Sequence, residues 1–251
     1  MTDYGGSEKE VKYDIAALKR FVSSTFDTAI STQQPLALEM VQRLRRVHPD
    51  KSPEELVSYL NKTYIATVTA SGTGTGMASV VPNGFVQIPV AIADLAAFLE
   101  ASVLYVLALA EIYGVHVEDL ERRRFLVTVA LLGNSATTTV TQALGKKTIP
   151  FWSAKIINKI PMSAINTANK VLGPRFITKY GTKQGVLVLG KQLPLTLGVV
   201  VGAGGNATFG YFVIRSTKAV LSTPPKNWEH MEDPDPDVLH VTLVEETEVT
   251  D

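Results

Sequence analysis

PVAIADLAAFLEASVLYVLALAEIYG, Pro89 to Gly114, is the stretch on which the fold turns. Proline suits the first turn of a helix and glycine the residue just past its end, so the stretch predicts one helix from Pro89 to about Tyr113. It is apolar almost all round, which demands burial or contact with lipid. Asp94, Glu100 and Glu111 interrupt it. At 100° per residue Glu100 and Glu111 align to within about 20°, but helical rise sets them about 16 Å apart, too far to act as a carboxylate pair. Three acids also argue against an ordinary membrane span, since each is costly at the bilayer centre. The expectation is a buried helix whose acids Asp94, Glu100 and Glu111 meet cations from elsewhere, with Arg215 and Lys218 as candidate partners.

Towards the N-terminus the pattern stays helical. Val11, Ile15, Leu18 and Val22 recur at helical spacing, and Ala37, Met40, Val41, Leu44 and Val47 repeat the pattern after Pro35. His48-Pro49-Asp50 ends that run, because a residue before proline avoids the helical region. Ser52-Pro53-Glu54-Glu55 starts the next helix, with Ser52 as N-cap and Glu55 closing a capping box. The glycine-rich run Ser71–Gly76 has G-x-G-x-G spacing, and Pro82, Gly84 and Pro89 punctuate the residues after it. A dinucleotide fingerprint needs a strand before it and a long helix after it, so this run reads as a turn between helices.

Towards the C-terminus, Glu118 to about Leu144 predicts another helix, loosened over Asn134–Gln142 by its Thr and Ser content. Arg122-Arg123-Arg124 in its first turns opposes the helix dipole, so an external anion or an acidic neighbour is expected there. The apolar segment from Ile156 to Leu172 should break at Gly173-Pro174. Leu193–Ile214 holds 22 residues without a formal charge. Gly204-Gly205-Asn206 within it predicts two short helices joined by a turn. Gly198, Gly202 and Gly205 are candidate packing glycines that let helices approach closely.

The 251-residue chain has 24 basic and 24 acidic side chains, and the neutral total hides a segregation. Nine acids and no base lie between Glu229 and Asp251, so residues 1–228 set 24 basic against 15 acidic groups. Arg122 to Lys226 carries 15 basic residues and no acid. Such asymmetry points to an anionic partner, membrane surface or acidic protein. No aromatic–basic motif accompanies it, which disfavours nucleic acid.

Absence of cysteine excludes disulfides, Cys-ligated zinc, thiolate catalysis and iron–sulfur clusters. His48, His116, His230 and His240 stand apart, with no metalloprotease pattern, nucleophile elbow or Walker lysine. The Asp-Pro repeat at residues 233–237 lacks the glycine and spacing of an EF-hand loop. No catalytic residue, metal or cofactor is predicted, and the chain leans away from an enzyme. Met1–Lys12 has no apolar targeting core, so the cytoplasm or the inner face of its membrane is expected.

Two stretches together resemble the EcsC family of bacterial proteins, named for a gene beside those of an ABC transporter. One is the apolar helix ending Ala110-Glu111-Ile112-Tyr113-Gly114. The other is Leu193-Pro194 and Gly198 followed by Gly202-Ala203 and Asn206 and an aromatic helix to Ala219. The resemblance covers roughly residues 10–222 and implies a mostly helical, membrane-linked protein with no catalytic residues to carry over.

The expected architecture is thus all-α. Residues 1–7 form a flexible N-terminus, and 8–222 an EcsC-like multi-helix globular bundle with Gly-rich helical hairpins. Residues 223–251 form an acidic, mostly extended linker and tail, with a short strand pattern over Leu239–Leu243. The expected function is a non-catalytic accessory or scaffold factor at an anionic membrane surface. Arg122, Arg123, Arg124, Lys146, Lys147, Lys155, Lys159, Arg215 and Lys218 would contact head groups. The alternatives are a soluble interaction module docking its own acidic tail or an acidic partner, and a hydrolase assembled from distant residues such as Asp94, Glu111 or a histidine.

Overall fold

The computed structural model describes residues 15–71, 90–133, 136, 140, 157, 159–181, 195–221 and 223–231, with backbone alone at 71, 90–92 and 195–206. The glycine-rich run after Ser71, Lys146, Lys147, Lys155, the first seven residues and the tail beyond Met231 lie outside them. Among the described residues the elements are helices: α1 (Ile15–Val47), α2 (Pro53–Ser71), α3 (Val90–Ile112), α4 (Leu120–Leu132), α5 (Met162–Tyr180) and α6 (Leu195–Leu221). The chain is an all-helical bundle.

α3 is its axis. Every residue from Tyr105 to Ile112 is buried, so the helix is covered on all sides. Its Ala93–Ile112 segment is long and apolar enough to cross a membrane, yet 78% of it is buried against other helices. α1 packs along α3 most extensively, α2 and α6 cover it further, and α5 packs on α4 and α1. The α2–α3 seam is partly polar. Tyr64 and Tyr105 stack with ring centroids 4.3 Å apart. The Tyr64 hydroxyl lies 2.7 Å from Ser102 Oγ, and Tyr105 donates to Asn61 Oδ1 at 2.7 Å. Phe26 of α1 meets Phe176 of α5 at 4.1 Å, and Phe176 meets Tyr180 at 4.8 Å.

The local signals hold at the helix ends. Ser52 donates its hydroxyl and its backbone N–H to Glu55 Oε2, both at 2.9 Å, and accepts from the Glu55 N–H, which completes the capping box. Gly114, at φ 67°, ends α3 with its N–H on Glu111 O, and Val115 N–H reaches Ala110 O. These two bonds form a Schellman motif, which needs the left-handed residue that glycine supplies.

α1 runs as one helix through Pro35. Two expected breaks are absent. α5 runs through Gly173-Pro174; glycine has no Cβ to clash with the following proline ring, which removes part of the penalty on helix there. α6 is one 27-residue helix, so the turn expected at Gly204-Gly205-Asn206 is replaced by continuous helix. Glycine weakens a helix without forbidding it. Its close approach to α2 falls at Gly210, where a Cβ would stand 2.9 Å from both Ile65 and Val68. Gly198, Gly202 and Gly205 lie upstream in the same helix. α4 ends at Gly133, earlier than its composition suggests.

Candidate functional site

The arginine triplet has three separate fates. Arg122 donates to Ile157 O. Arg123 is buried and donates to three carbonyls, Val117 at 3.2 Å, Ile30 at 3.0 Å and Glu118 at 3.0 Å. Arg124 pairs with Asp27 of α1. The acidic neighbours expected of these cations are therefore Asp27 and Glu121, whose Oε1 stands 3.7 Å from Arg124 Nε, together with the Asp119 cap, which accepts from the Glu121 and Arg122 N–H groups. Arg123 is corrected as a head-group contact, since it is buried and internal carbonyls take its guanidinium donors, whereas Arg122 is half-buried with one donor on Ile157 O.

Glu111 lies behind Arg123. It accepts from Gln34 Nε2 of α1, and His116 Nδ1 stands 2.8 and 3.0 Å from its two oxygens. Burial raises the Glu111 carboxyl above the ordinary carboxylate range, against the lowering pull of His116, Gln34 and Arg123. Its partners are these three rather than Arg215 or Lys218, both of which are exposed. A carboxylate orienting a half-exposed histidine is half of a nucleophilic constellation. Among the described residues no nucleophile contacts the pair, and the pair fastens the α3–α4 turn to α1.

Asp94 is buried at 7% exposure and burial lifts its carboxyl to about 6. Glu100 is exposed, a correction to its expected burial. It shares a helical face with Glu111, but Gln34 of α1 reaches Glu111 while Glu100 stays exposed. The Asp94 shift fixes a pH dependence. A carboxyl raised in the folded state adds stability below its unfolded value, lost as pH rises through about 6. Asp94→Asn is therefore expected to stabilise the protein by roughly 2–3 kcal/mol at pH 7.5 and by almost nothing at pH 3.5, measured by urea unfolding. An equal change at both pH values contradicts this.

A cleft of about 420 Å³ opens between α1, α4 and α5 beside the Arg124–Asp27 pair. Lys19, Ser23, Thr128 and Asn169 supply further polar groups, and Phe26, Phe176, Ile177 and Pro174 an apolar wall. Asn169 Nδ2 donates to Glu121 O at 2.9 Å and Glu121 Oε2 at 2.8 Å, which fixes the amide orientation. Its Oδ1, and Arg124 Nε, are buried without a hydrogen-bond partner. Sequence reasoning missed this cleft because its groups come from three helices far apart in the chain.

At the far end of α4, Lys179 Nζ donates to Leu131 O at 2.9 Å and stands 4.0 Å from the Phe212 ring centroid. Burial lowers Lys179 to about 8. On α6, Tyr211 is 62% exposed, and Arg215 and Lys218 are exposed beyond it. The three fall within about 60° of helical arc. Lys159 is exposed just before α5. Among the described residues no group of three or more His, Asp or Glu side chains could hold a metal.

No protein-family model matches this chain, and comparison with curated proteins and with solved structures found no similar protein.

Proposed function

We propose that this protein is a non-catalytic helical accessory or scaffold factor that associates with the anionic inner face of the cytoplasmic membrane, as the EcsC resemblance implies. The observation that carries the reading is the exposed face of α6. An uncharged stretch ending at Ile214 is followed on one helix by exposed Arg215 and Lys218, beside the exposed ring of Tyr211. Tyrosine and basic side chains at the end of an uncharged helix suit the head-group layer. Lys159, and in the sequence Lys146, Lys147 and Lys155, add positive charge to the same half.

The test is flotation with phosphatidylglycerol-containing against pure phosphatidylcholine vesicles. Each cation near the surface contributes about 1 kcal/mol, so Arg215→Ala with Lys218→Ala should weaken anionic-vesicle binding roughly 30-fold. Equal binding to both vesicles, or binding to neither, overturns the reading.

A second reading, an interaction module docking its own tail, is favoured by the segment 223–231. Trp228 donates Nε1–H to Lys51 O at 2.9 Å and lies 4.7 Å from the Arg45 guanidinium. His230 packs on Gly114. The approach to the acidic tail is thus anchored on the α1–α2 corner. The same flotation assay discriminates: deleting residues 229–251 strengthens anionic-vesicle binding if the tail masks the body, and leaves it unchanged if it does not.

A further inference from the structure

α6 leaves one of its faces to solvent. Thr208, Tyr211, Arg215 and Lys218 are exposed and fall within about 80° of helical arc. The helix carries no charge from Leu195 to Ile214, and Lys191 precedes it in the sequence. Its order of charge is thus basic, uncharged, basic. Among the described residues, the acids of the helices packed on α6 are engaged or turned elsewhere. Asp94 and Glu111 of α3 are buried. Glu100 lies about 200° round α3 from Phe98, whose ring meets Phe209 of α6 at 6.1 Å. In the first turn of α2, Glu54 neighbours Tyr113 and Glu55 is taken by Ser52. Glu121 opens α4 and holds Asn169, whereas α6 meets the other end of α4 at Gly133.

The chain leaves the body at the end of the bundle to which α6 points. Gly210 of α6 sits beside Ile65 and Val68 of α2. Beyond Leu221, the chain returns so that Trp228 donates to Lys51 O, just before α2. The segment from Leu221 to Trp228 reaches at most about 24 Å. An α6 parallel to α2 would put Leu221 roughly 40 Å from Lys51. α6 therefore runs antiparallel to α2, and Arg215 and Lys218 lie towards the end where Trp228 and His230 are anchored. Met231 packs on the core there. The sequence beyond it reads acid, apolar, acid: four acids in Glu232–Asp237, none in Val238–Val244, three in Glu245–Glu248. That is the order of the α6 face read from its C-terminal end, with opposite sign. The lengths also agree. An extended chain rises about 3.3 Å per residue and a helix about 1.5 Å. With Asp235 level with Arg215 and Lys218, His240 falls about 16 Å along α6, near Asn206, and Glu246 about 36 Å along, at the start of the helix that Lys191 precedes.

We propose that residues 232–251 dock on this exposed face of α6, antiparallel to the helix, with Asp233, Asp235 and Asp237 at Arg215 and Lys218 and the Val238–Val244 segment along the uncharged stretch beyond Tyr211. The proposal rests on the second reading above and names its site. The tail takes the face that the membrane reading assigns to head groups, so tail and membrane exclude each other there.

The test is crosslinking of the full chain between introduced cysteines, which the absence of native cysteine leaves free of background. His240→Cys is combined in turn with Thr208→Cys on α6, Val171→Cys on α5 and Leu36→Cys on α1, all three positions being exposed. Each dilute protein is treated with a short bismaleimide, without vesicles, and the intramolecular product is followed by mass spectrometry. The Thr208 pair should crosslink at least about fivefold faster than either control, because docking raises the effective concentration of the two thiols. Asp233→Lys with Asp235→Lys and Asp237→Lys should lower that rate about fivefold or more, and adding Arg215→Glu with Lys218→Glu should restore it. Faster crosslinking at Val171 or Leu36 overturns this site and leaves tail docking standing, whereas equal rates for all three pairs overturn both. A crosslinked dimer as the main product assigns the tail to a second copy and overturns the proposal. An undiminished rate in the lysine-substituted tail does the same, and that change lies outside the packed helices, so it is read on a folded body.

Discussion

Arg123→Met destabilises the protein by about 3–5 kcal/mol, the largest effect expected of any polar substitution in this chain. The guanidinium joins Ile30 in α1 to Val117 and Glu118 in the turn before α4. Methionine keeps the apolar stem but leaves three carbonyls without their donor and takes away the positive charge that favours ionised Glu111. Arg123→Lys keeps the charge and loses the planar fork, so it should recover less than half of the loss. Urea unfolding followed by circular dichroism measures both. A methionine variant within about 1 kcal/mol of wild type contradicts the role given to this residue.

Gly133→Ala costs about 2–4 kcal/mol, from two causes that act together. The residue sits at φ 60°, ψ −136°, a region that is nearly glycine's alone. A Cβ there would also stand 2.6 Å from both Phe212 Cζ and Ser216 Oγ, so those two side chains of α6 would have to shift. Thermal unfolding should show a drop well beyond that of Gly173→Ala, whose Cβ meets nothing but the ring of the following proline. Equal losses for the two variants would contradict both the backbone conformation and the tight α4–α6 contact at Gly133.

These two glycines show how far local sequence reaches. Both come after apolar runs, and nothing in composition separates a helix end from a helix interior that borders a cleft. Gly114 was legible because the helix before it was long and its Schellman bonds are local. The Ser52–Glu55 capping box was legible for the same reason, its partners being three residues apart. Gly173-Pro174 and Gly204-Gly205-Asn206 suggested breaks from local preference. Helix persisted through both, and Phe176 just beyond Pro174 packs on α1. Packing of an apolar face outweighs a local preference of a few kcal/mol.

The candidate sites divide in the same way. Three consecutive arginines read as one basic cluster, but successive helical residues point in different directions. Arg124 therefore meets Asp27, 97 residues away, while Arg123 turns into the core. Glu100 and Glu111 lie on one helical face as their spacing requires, and only Glu111 is covered. Periodicity and capping depend on residues within a turn or two, so the order of amino acids was enough to make the chain helical, to start α2 and end α3, and to require cover for α3. Which charges are buried, which are paired and which three helices enclose a cleft emerged from packing alone, because those outcomes depend on neighbours that the fold brings together from tens of residues away.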